Sequence, residues 1–580
     1  MNDRREGSGV FAVIHTIRWD RIHLRMEMSI RQEKTEEPID SFDIFAVNLE
    51  GEAGILFDTK ILENGRVELY VNITNNGLHE CVPAGTYRIF VCKGNDVLAE
   101  CESDAVLTEK MSEASRAFLY GTQRREYSVS FFVTDDSERL LFRMHMMPFN
   151  YQKMGFPYSF SLWKSLSSTL FNYFLETRRN IRRFYQLLCK LQGKKKQTSI
   201  LFMTEQSKTL GSNLACILER MKERGLDKKY TIRTWARKVS SGGYSPLNWL
   251  KFAALVAKSG IIFVDDHVPP FDWMPLEDTI LIQTWHAGAG FKSSGYARWG
   301  QYGGPAPVSC HRQYTYGLCG SRKIAHFFSE VWGINTERVL NTGMPRMDEF
   351  QDEAYRKKTT EELYKKYPLC KGKKVILFAP TYRGTSNRDA HYPYELIDWD
   401  RFEQVCGDEY VVLFKMHPWV IKDIKIPKKL QDRMIDVKKY PNINDLFYIT
   451  DLLITDYSSN IYEYSLMRKP MLFFAYDEIQ YSFSRGFHRP YREAAPGKVC
   501  GTFDELMDAI EQKDFEYEKV EEYIETQFDH FDSNARDRVI DWILLGQMPE
   551  DIRRAIEERD ARMDRIRTTD FSAFAEEVEY

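Results

Sequence analysis

The sequence predicts an α/β protein: two Rossmann-like halves facing across a cleft, preceded by an all-β, sandwich-like N-terminal module. Three observations carry this. Residues 9–150 are short runs of alternating apolar and polar residues separated by turn signals, the pattern of half-buried strands. From residue 198 the chain alternates apolar strands with helical patterns, as a parallel sheet covered on both faces requires. That alternation pauses in a charged, helix-prone stretch near 350–372 and then starts again. The boundaries read as 1–150 for the β module, 151–197 for a basic helical linker, 198–350 for the first α/β half and 351–580 for the second.

A chain of 580 residues is too long for one core and fits three or four domains. With 43% hydrophobic and 28% charged residues it has an ordinary globular composition. A net charge of −4 argues against a protein wholly devoted to nucleic acid and leaves room for local patches. The ten cysteines are scattered without a C-x-x-C pair, which argues against a zinc site and for reduced thiols in a cytosol. The first residues lack a long apolar segment, so no signal peptide is expected, and no apolar run is long enough to span a bilayer.

In the N-terminal module the runs GVFAVIHTIRW, IHLRMEMSI, FDIFAVNLE, GRVELYVNI, TYRIFVCKG, YSVSFFVTD and LLFRMHMM read as about seven strands without intervening helices, a β-sandwich. No catalytic constellation appears there, so a structural or acceptor-binding role is expected. Residues 160–196 then carry nine Lys/Arg and a single acid, Glu176, among Leu, Phe, Tyr and Trp at helical spacing. Such a stretch forms one or two amphipathic helices, which either lie on an anionic membrane surface or connect domains with a solvated basic face.

In the first α/β half the strands are TSILFMTEQ, KYTIRTWAR, IIFVDDH and TILIQTWHAG. In the second they are KKVILFAPTYRG, YVVLFKMHPWV, DLLITDYSS and PMLFFAYD, and residues 519–580 are mostly helical and charged. Ligands of open parallel sheets bind outside the carboxyl ends of the strands. The chemically distinctive residues fall at those ends. His286 precedes the small-residue loop Ala287-Gly288-Ala289-Gly290 and is placed either for general-base work or as a structural turn histidine. Thr381 and Arg383 follow one strand, and the guanidinium suits a pair of phosphate oxygens. Lys415 and His417 follow another, where the histidine can donate to a departing phosphate or cap the core. Asp456, Ser458 and Ser459 stand at a strand-to-helix switch, where hydroxyls and helix N-terminal amides favour a phosphate and an ordinary N-cap is the alternative. Asp456 has no second carboxylate at metal-ligand spacing.

These stretches resemble a known family. ILFMTE with Asn213, VDDHVPPF, QTWH at 283–286, NTGMPRMD at 341–348, ILFAPTYR at 376–383, FKMHP at 414–418 and ITDYSSNIYEYSLMRKPMLFF at 454–474 are similar, in combination and in order, to the CDP-glycerol:poly(glycerophosphate) glycerophosphotransferases, the TagF-like teichoic acid polymerases and primases of Gram-positive bacteria. The resemblance implies a GT-B fold and transfer of a polyol phosphate from a CDP-polyol to a membrane-linked teichoic-acid-like or capsular polymer, with release of CMP. It implies CDP-glycerol first and CDP-ribitol second as donor, no cofactor or metal, and work at the inner face of the cell membrane. A nucleotide-sugar glycosyltransferase and a glycan-binding scaffold are the competing readings; self-association is left open.

By the same resemblance His286 would deprotonate the acceptor hydroxyl. His417 and Arg383 would steady the pyrophosphate, Ser458 and Ser459 would hold phosphate, and Asp456 would order their turn. Asn213, Lys292, Thr381 and Lys415 join the expected substrate-binding set. The run after His286 departs from the family's Gly-Thr-Pro-Leu-Lys, and so does the segment at 293–314.

Overall fold

The computed structural model describes residues 9–33, 42–94, 96–121, 125–136, 139–150, 162–193, 197–238, 245–276, 278–288, 292–301, 303–384 and 388–574. The N-terminal part is β-rich as expected, with eleven strands among the described residues between Val10 and Asn150. Its ladders join all eleven into one connected sheet, where a two-sheet sandwich was expected. Pairing is antiparallel except between Val10–Asp20 and Asp96–Ser103. A helix absent from the sequence reading, Ala105–Lys110, interrupts the strands and is capped by Asp104, whose side chain accepts from the Leu107 N–H.

Two parallel six-stranded sheets follow. Numbered by order within each unit, the first runs 2-1-3-4-5-6 and comprises Ser199–Thr204, Thr231–Ala236, Ile261–Val264, Ile280–Gln283, Tyr316–Leu318 and Val339–Leu340. The second runs 3-2-1-4-5-6 through Lys374–Phe378, Tyr410–Phe414, Met434–Asp436, Leu452–Thr455, Met471–Phe474 and Lys498–Cys500. Period-two alternation divides each strand between two cores. Leu201 and Met203 belong to one apolar cluster and Ile200 and Phe202 to another, so both faces are covered. In each sheet the strand order reverses beside its first strand, which opens a crevice there.

The linker is one helix of 31 residues, Leu162–Gln192. Of the basic stretch read at 160–196, residues 160–161 and 194–196 and the side chains up to 176 lie outside the described residues. Beyond them the apolar stripe is engaged internally: Ile181, Phe184, Tyr185 and Leu188 pack on the first α/β core. Arg179, Arg182, Arg183 and Lys190 remain exposed with Leu187 and Leu191. No described helix is long and apolar enough to cross a membrane, and all ten cysteines are free thiols.

The sequence boundaries place everything after 351 in the second half, and the structure corrects this. Asp529 accepts from Ser321 Oγ at 2.8 Å and from the Arg322 N–H at 2.8 Å, and Val539, Ile540, Ile552 and Ile556 join the core of the first sheet. Arg220 and Arg224 clamp Asp537 at 2.8–3.0 Å. The final helix, Glu550–Thr568, continues to the β unit, where Arg565 pairs with Asp43 at 2.6 Å and Arg562 with Asp58 at 3.1 Å. Phe571 lies where a side chain on Gly54 would stand, and Phe571 and Phe574 share a cluster with Phe45 and Phe90. The chain end therefore ties the β unit to the first sheet. Truncation before Glu550 is expected to lower the melting midpoint and to make residues 9–150 susceptible to limited proteolysis while the α/β core persists; identical digestion of the two forms would contradict this.

Candidate active site

His286 follows strand Ile280–Gln283 on a loop whose backbone is forced. Trp285 has φ +53°, a left-handed conformation that a bulky residue rarely adopts. Three bonds hold it: the Trp285 N–H donates to Gln283 Oε1 at 2.9 Å, and Asn213 Nδ2 donates to the Thr284 and Trp285 carbonyls at 3.0 and 2.9 Å. Asn213 Oδ1 accepts from the Arg346 N–H at 3.1 Å, and the residue is fully buried. Asn213, expected on substrate, instead braces the histidine loop, because its amide is fully engaged by backbone.

His286 is half exposed. Its Nδ1 faces the Asp265 carbonyl at 3.4 Å and Asp266 Oδ2 at 3.5 Å. Both neighbours can only accept, so Nδ1 carries the hydrogen and Nε2 keeps its lone pair, the arrangement of a general base. Asp265 and Asp266 end strand Ile261–Val264 at the crevice of the first sheet. Burial pushes the Asp265 carboxyl up to about 6, the Thr204 hydrogen bond opposing it. Sequence reading quoted VDDHVPPF but gave these carboxylates no role, although two acids at a strand end beside His286 were a usable signal.

Arg383 also changes role. It was expected on phosphate, but its Nε and Nη2 donate to Asp477 at 2.6 and 2.9 Å and its Nη1 to Asp456 at 2.9 Å. Two carboxylates converge on it under three tyrosine rings, Tyr457, Tyr476 and Tyr481, so the cation is structural. Asp456 accepts four bonds, from the N–H groups of Thr381 and Tyr457, from Thr381 Oγ1 and from Arg383, and is fully buried. Thr381, expected on substrate, is thereby committed to this turn. Lys415 is turned inward too, donating to the Lys438 carbonyl at 2.7 Å. The helix after the serines is only Ile461–Ser465, and Ser458 Oγ accepts from the Asn460 N–H at 3.3 Å. Five residues sum to little dipole, so Ser459 offers mainly its hydroxyl.

His286, Lys292 and Ser459 line one cavity of about 230 Å³ between the two α/β halves. Lys292 arrives from the histidine loop and bridges to Phe487 of the second half, and the Ser293 N–H donates to the Gly486 carbonyl at 3.1 Å. Residues 289–291 of that loop lie outside the described residues. Burial brings the Lys292 ammonium down to about 8, with Asp456 opposing and Arg485 and Arg383 assisting. Burial and the cations Lys292 and Lys415 lower His417 to about 4, so its ring is neutral near pH 7. His417 Nδ1 accepts from the Trp419 N–H at 3.1 Å, which leaves Nε2–H as a hydrogen-bond donor. Arg489, on the same cavity, forms no ion pair among the described residues, and burial lowers its pKa.

Two further contacts join the halves at this point. Arg346 pairs with Glu463 and donates to the His286 carbonyl at 2.8 Å. The Tyr462 ring sits against Gly288 and its hydroxyl against Gly320, positions where a Cβ would overlap it. Among the described residues His267, Asp272 and Cys310 bring metal-type donors together. There the Asp272 carboxylate already accepts from His267 Nε2 at 2.9 Å and the Cys310 N–H at 2.8 Å, a hydrogen-bonded brace.

A lysine of depressed pKa gives a pH signature. Lys292 is charged below about 8 and neutral above, so kcat/KM for an anionic donor should fall as pH rises through that value. Lys292→Arg should move this alkaline limb beyond pH 10. A limb unchanged in the variant would assign it to another group.

Comparison with known proteins gives a consistent picture. The family model described as CDP-Glycerol:Poly(glycerophosphate) glycerophosphotransferase matches residues 184–545. The chain is 38% identical over 364 residues, 62% of its length and 64% of the relative's, to teichoic acid ribitol-phosphate polymerase TarL of Staphylococcus aureus. It is 38% identical over 361 residues, 62% of its length and 58% of the relative's, to a teichoic acid poly(ribitol-phosphate) polymerase of Bacillus spizizenii. The chain thus spans about three fifths of these curated relatives. A solved structure of the wall teichoic acid polymerase TagF superposes with TM-score 0.51 at 23% identity, covering 68% of this chain and all of that one, a likeness of fold.

Proposed function

The chain belongs to the CDP-glycerol:poly(glycerophosphate) glycerophosphotransferase family, and from that premise we propose that it transfers a polyol phosphate from a CDP-polyol to the hydroxyl end of a teichoic-acid-like or capsular polymer on a GT-B pair of Rossmann-like domains. The observation that carries the reading is the interlobe cavity, where a base-type histidine meets cations without carboxylate partners among the described residues, Lys292 and Arg489. Such a cavity suits a pyrophosphate and an attacking hydroxyl. His286 Nε2 takes the acceptor proton as the acceptor oxygen bonds to the β-phosphorus. The bond from that phosphorus to the bridging oxygen breaks, and CMP leaves with the electron pair. Lys292, Arg489 and the Ser459 hydroxyl line the cavity where charge builds on the phosphates, and the Nε2–H of His417, which does not line it, would be a further donor to the departing phosphate. Arg383, Thr381 and Asp456 support the turn that presents Ser459, and Asn213 and Asp266 support His286. No step calls for a metal or cofactor.

Sequence reading put glycerol phosphate first. The names of the two relatives favour ribitol phosphate, which becomes the first donor to test. Incubation with CDP-ribitol, CDP-glycerol and UDP-sugars in turn decides the donor. CMP release with CDP-ribitol at a kcat/KM above that with CDP-glycerol is expected, and turnover of a UDP-sugar would overturn the reading. The exposed cations of helix Leu162–Gln192 suit an anionic membrane at the inner face, where a lipid-linked acceptor would be met.

A further inference from the structure

The β unit reaches the wall of the interlobe cavity. Strands Val10–Asp20 and His23–Gln32 are joined by the two-residue turn Arg21-Ile22. Arg21 has φ +54°. Such a turn position is normally given to Gly, Asn or Asp, and an arginine there is strained. Its side chain is well placed to offset that. Arg21 Nη2 pairs with Glu330 at 2.8 Å, and Nη1 lies 3.4 Å from His488 Nδ1. Glu330, on helix Arg322–Trp332, also accepts from His23 Nε2 at 2.9 Å, and Tyr70 meets His23 Nδ1 at 2.6 Å. Burial works against the Glu330 charge, yet His23 and Arg21 hold its carboxyl at about 2. His488 lines the cavity with His286 and Lys292, whereas Arg21 and Glu330 do not.

An arginine can only donate, so His488 Nδ1 must accept and the hydrogen of the neutral ring must sit on Nε2. We propose that Arg21, a residue of the N-terminal β unit, is a positioning residue for the transfer reaction: it fixes His488 as an Nε2–H donor toward a phosphate oxygen of the substrate in the interlobe cavity. The proposal rests on the phosphotransferase reading for its substrate, but not for the state of the histidine. The turn strain and the contact both point the same way. An arginine stands where glycine would be easier, and the histidine it meets belongs to the cavity.

The groups facing His488 set the consequences of removing Arg21. Burial is the main cause of its low pKa, about 4; Glu330 raises it, and Arg21, Arg489 and His326 lower it. The Phe327 ring packs against it at 5.7 Å. Without Arg21, Glu330 Oε2, 3.9 Å from Nδ1, becomes the nearest partner, and it is an acceptor. The hydrogen then moves to Nδ1, Nε2 loses its donor, and the ring protonates more readily. Protonation puts hydrogens on both nitrogens and restores the donor.

The test compares wild type with Arg21→Met, Arg21→Lys, His488→Gln and His488→Ala. Nitrogen-15 spectra of histidine-labelled, unliganded protein, assigned by loss of the signal in His488→Gln, should show an unprotonated Nδ1 in wild type and a protonated Nδ1 in Arg21→Met. With CDP-ribitol, or whichever CDP-polyol wild type turns over, Arg21→Met should lose roughly tenfold in kcat/KM at pH 8, the scale of one hydrogen bond to a charged group. The variant-to-wild-type ratio should climb as pH falls to 6. Arg21→Lys should recover most activity, and His488→Gln, which keeps a donor, should exceed His488→Ala. A ratio independent of pH, or an Nδ1–H tautomer in wild type, would overturn the proposal. Inactivity of wild type with every CDP-polyol would count against the phosphotransferase reading alone, and the spectra would still decide the tautomer.

Discussion

His286→Ala is expected to lower turnover by about 10²–10⁴-fold, the usual contribution of a general base, with the donor KM little changed. The imidazole Nε2 is the lone-pair nitrogen because Nδ1 faces only acceptors, the Asp265 carbonyl and the Asp266 carboxylate. Under the proposed reading the phosphates would be held by Lys292, Arg489 and Ser459 rather than by His286, so donor affinity should survive. Asp266→Asn should show a smaller loss in the same parameter, since it releases the tautomer but keeps the ring. Steady-state kinetics with a CDP-polyol check both. Full activity of His286→Ala would remove the general base from the account and return His286 to a structural turn residue.

Arg383→Met should be the most destabilising of the site substitutions. Its guanidinium holds Asp456 and Asp477, whose side chains are 1% and 14% exposed. Removing one partner leaves the buried Asp456 and the partly buried Asp477 without their cation, which costs about 3–5 kcal/mol. Thermal or denaturant unfolding should show that loss, and activity should fall because the Thr381–Asp456 turn carrying Ser459 loosens. The contrary result, an unchanged melting midpoint with a raised donor KM, would return Arg383 to the phosphate-binding role its sequence position suggested.

These two residues show what was legible before the structure. The strand ends were: His286, Thr381, His417 and Asp456 lie at the carboxyl ends of parallel strands because apolar runs mark strands and distinctive residues follow them. The two α/β units were legible for the same reason, since continuous apolar runs separated by helical periods have few alternatives to a covered parallel sheet. Side-chain engagement was not. Arg383 and Asn213 have the chemistry to bind phosphate or polyol, and only the arrangement in space reveals that Asp477 and the Thr284 carbonyl already occupy them. Nor was the path of the chain end. An amphipathic pattern over Glu550–Thr568 declares a buried face but not the surface that buries it, and that surface proved to be the β unit and the first sheet. The interlobe contacts of Arg346 with Glu463 and of Tyr462 with Gly288 and Gly320 were hidden likewise. They hold His286 in one cavity with Lys292, Ser459 and Arg489, so loosening either contact should separate the histidine from those groups.

The central claim is attack on phosphorus rather than on carbon, and the nucleotide released distinguishes them. Attack by the acceptor hydroxyl at the β-phosphorus of a CDP-polyol leaves a phosphodiester and CMP. Attack at the polyol carbon, as in glycosyl transfer, would leave an ether and CDP. Chromatography of the nucleotide formed from a cytidine-labelled CDP-polyol by wild-type protein, with His286→Ala as control, is the most direct measurement. CMP in wild type, strongly reduced in the variant, is the predicted result. CDP as the product, or equal CMP from both proteins, would contradict the account.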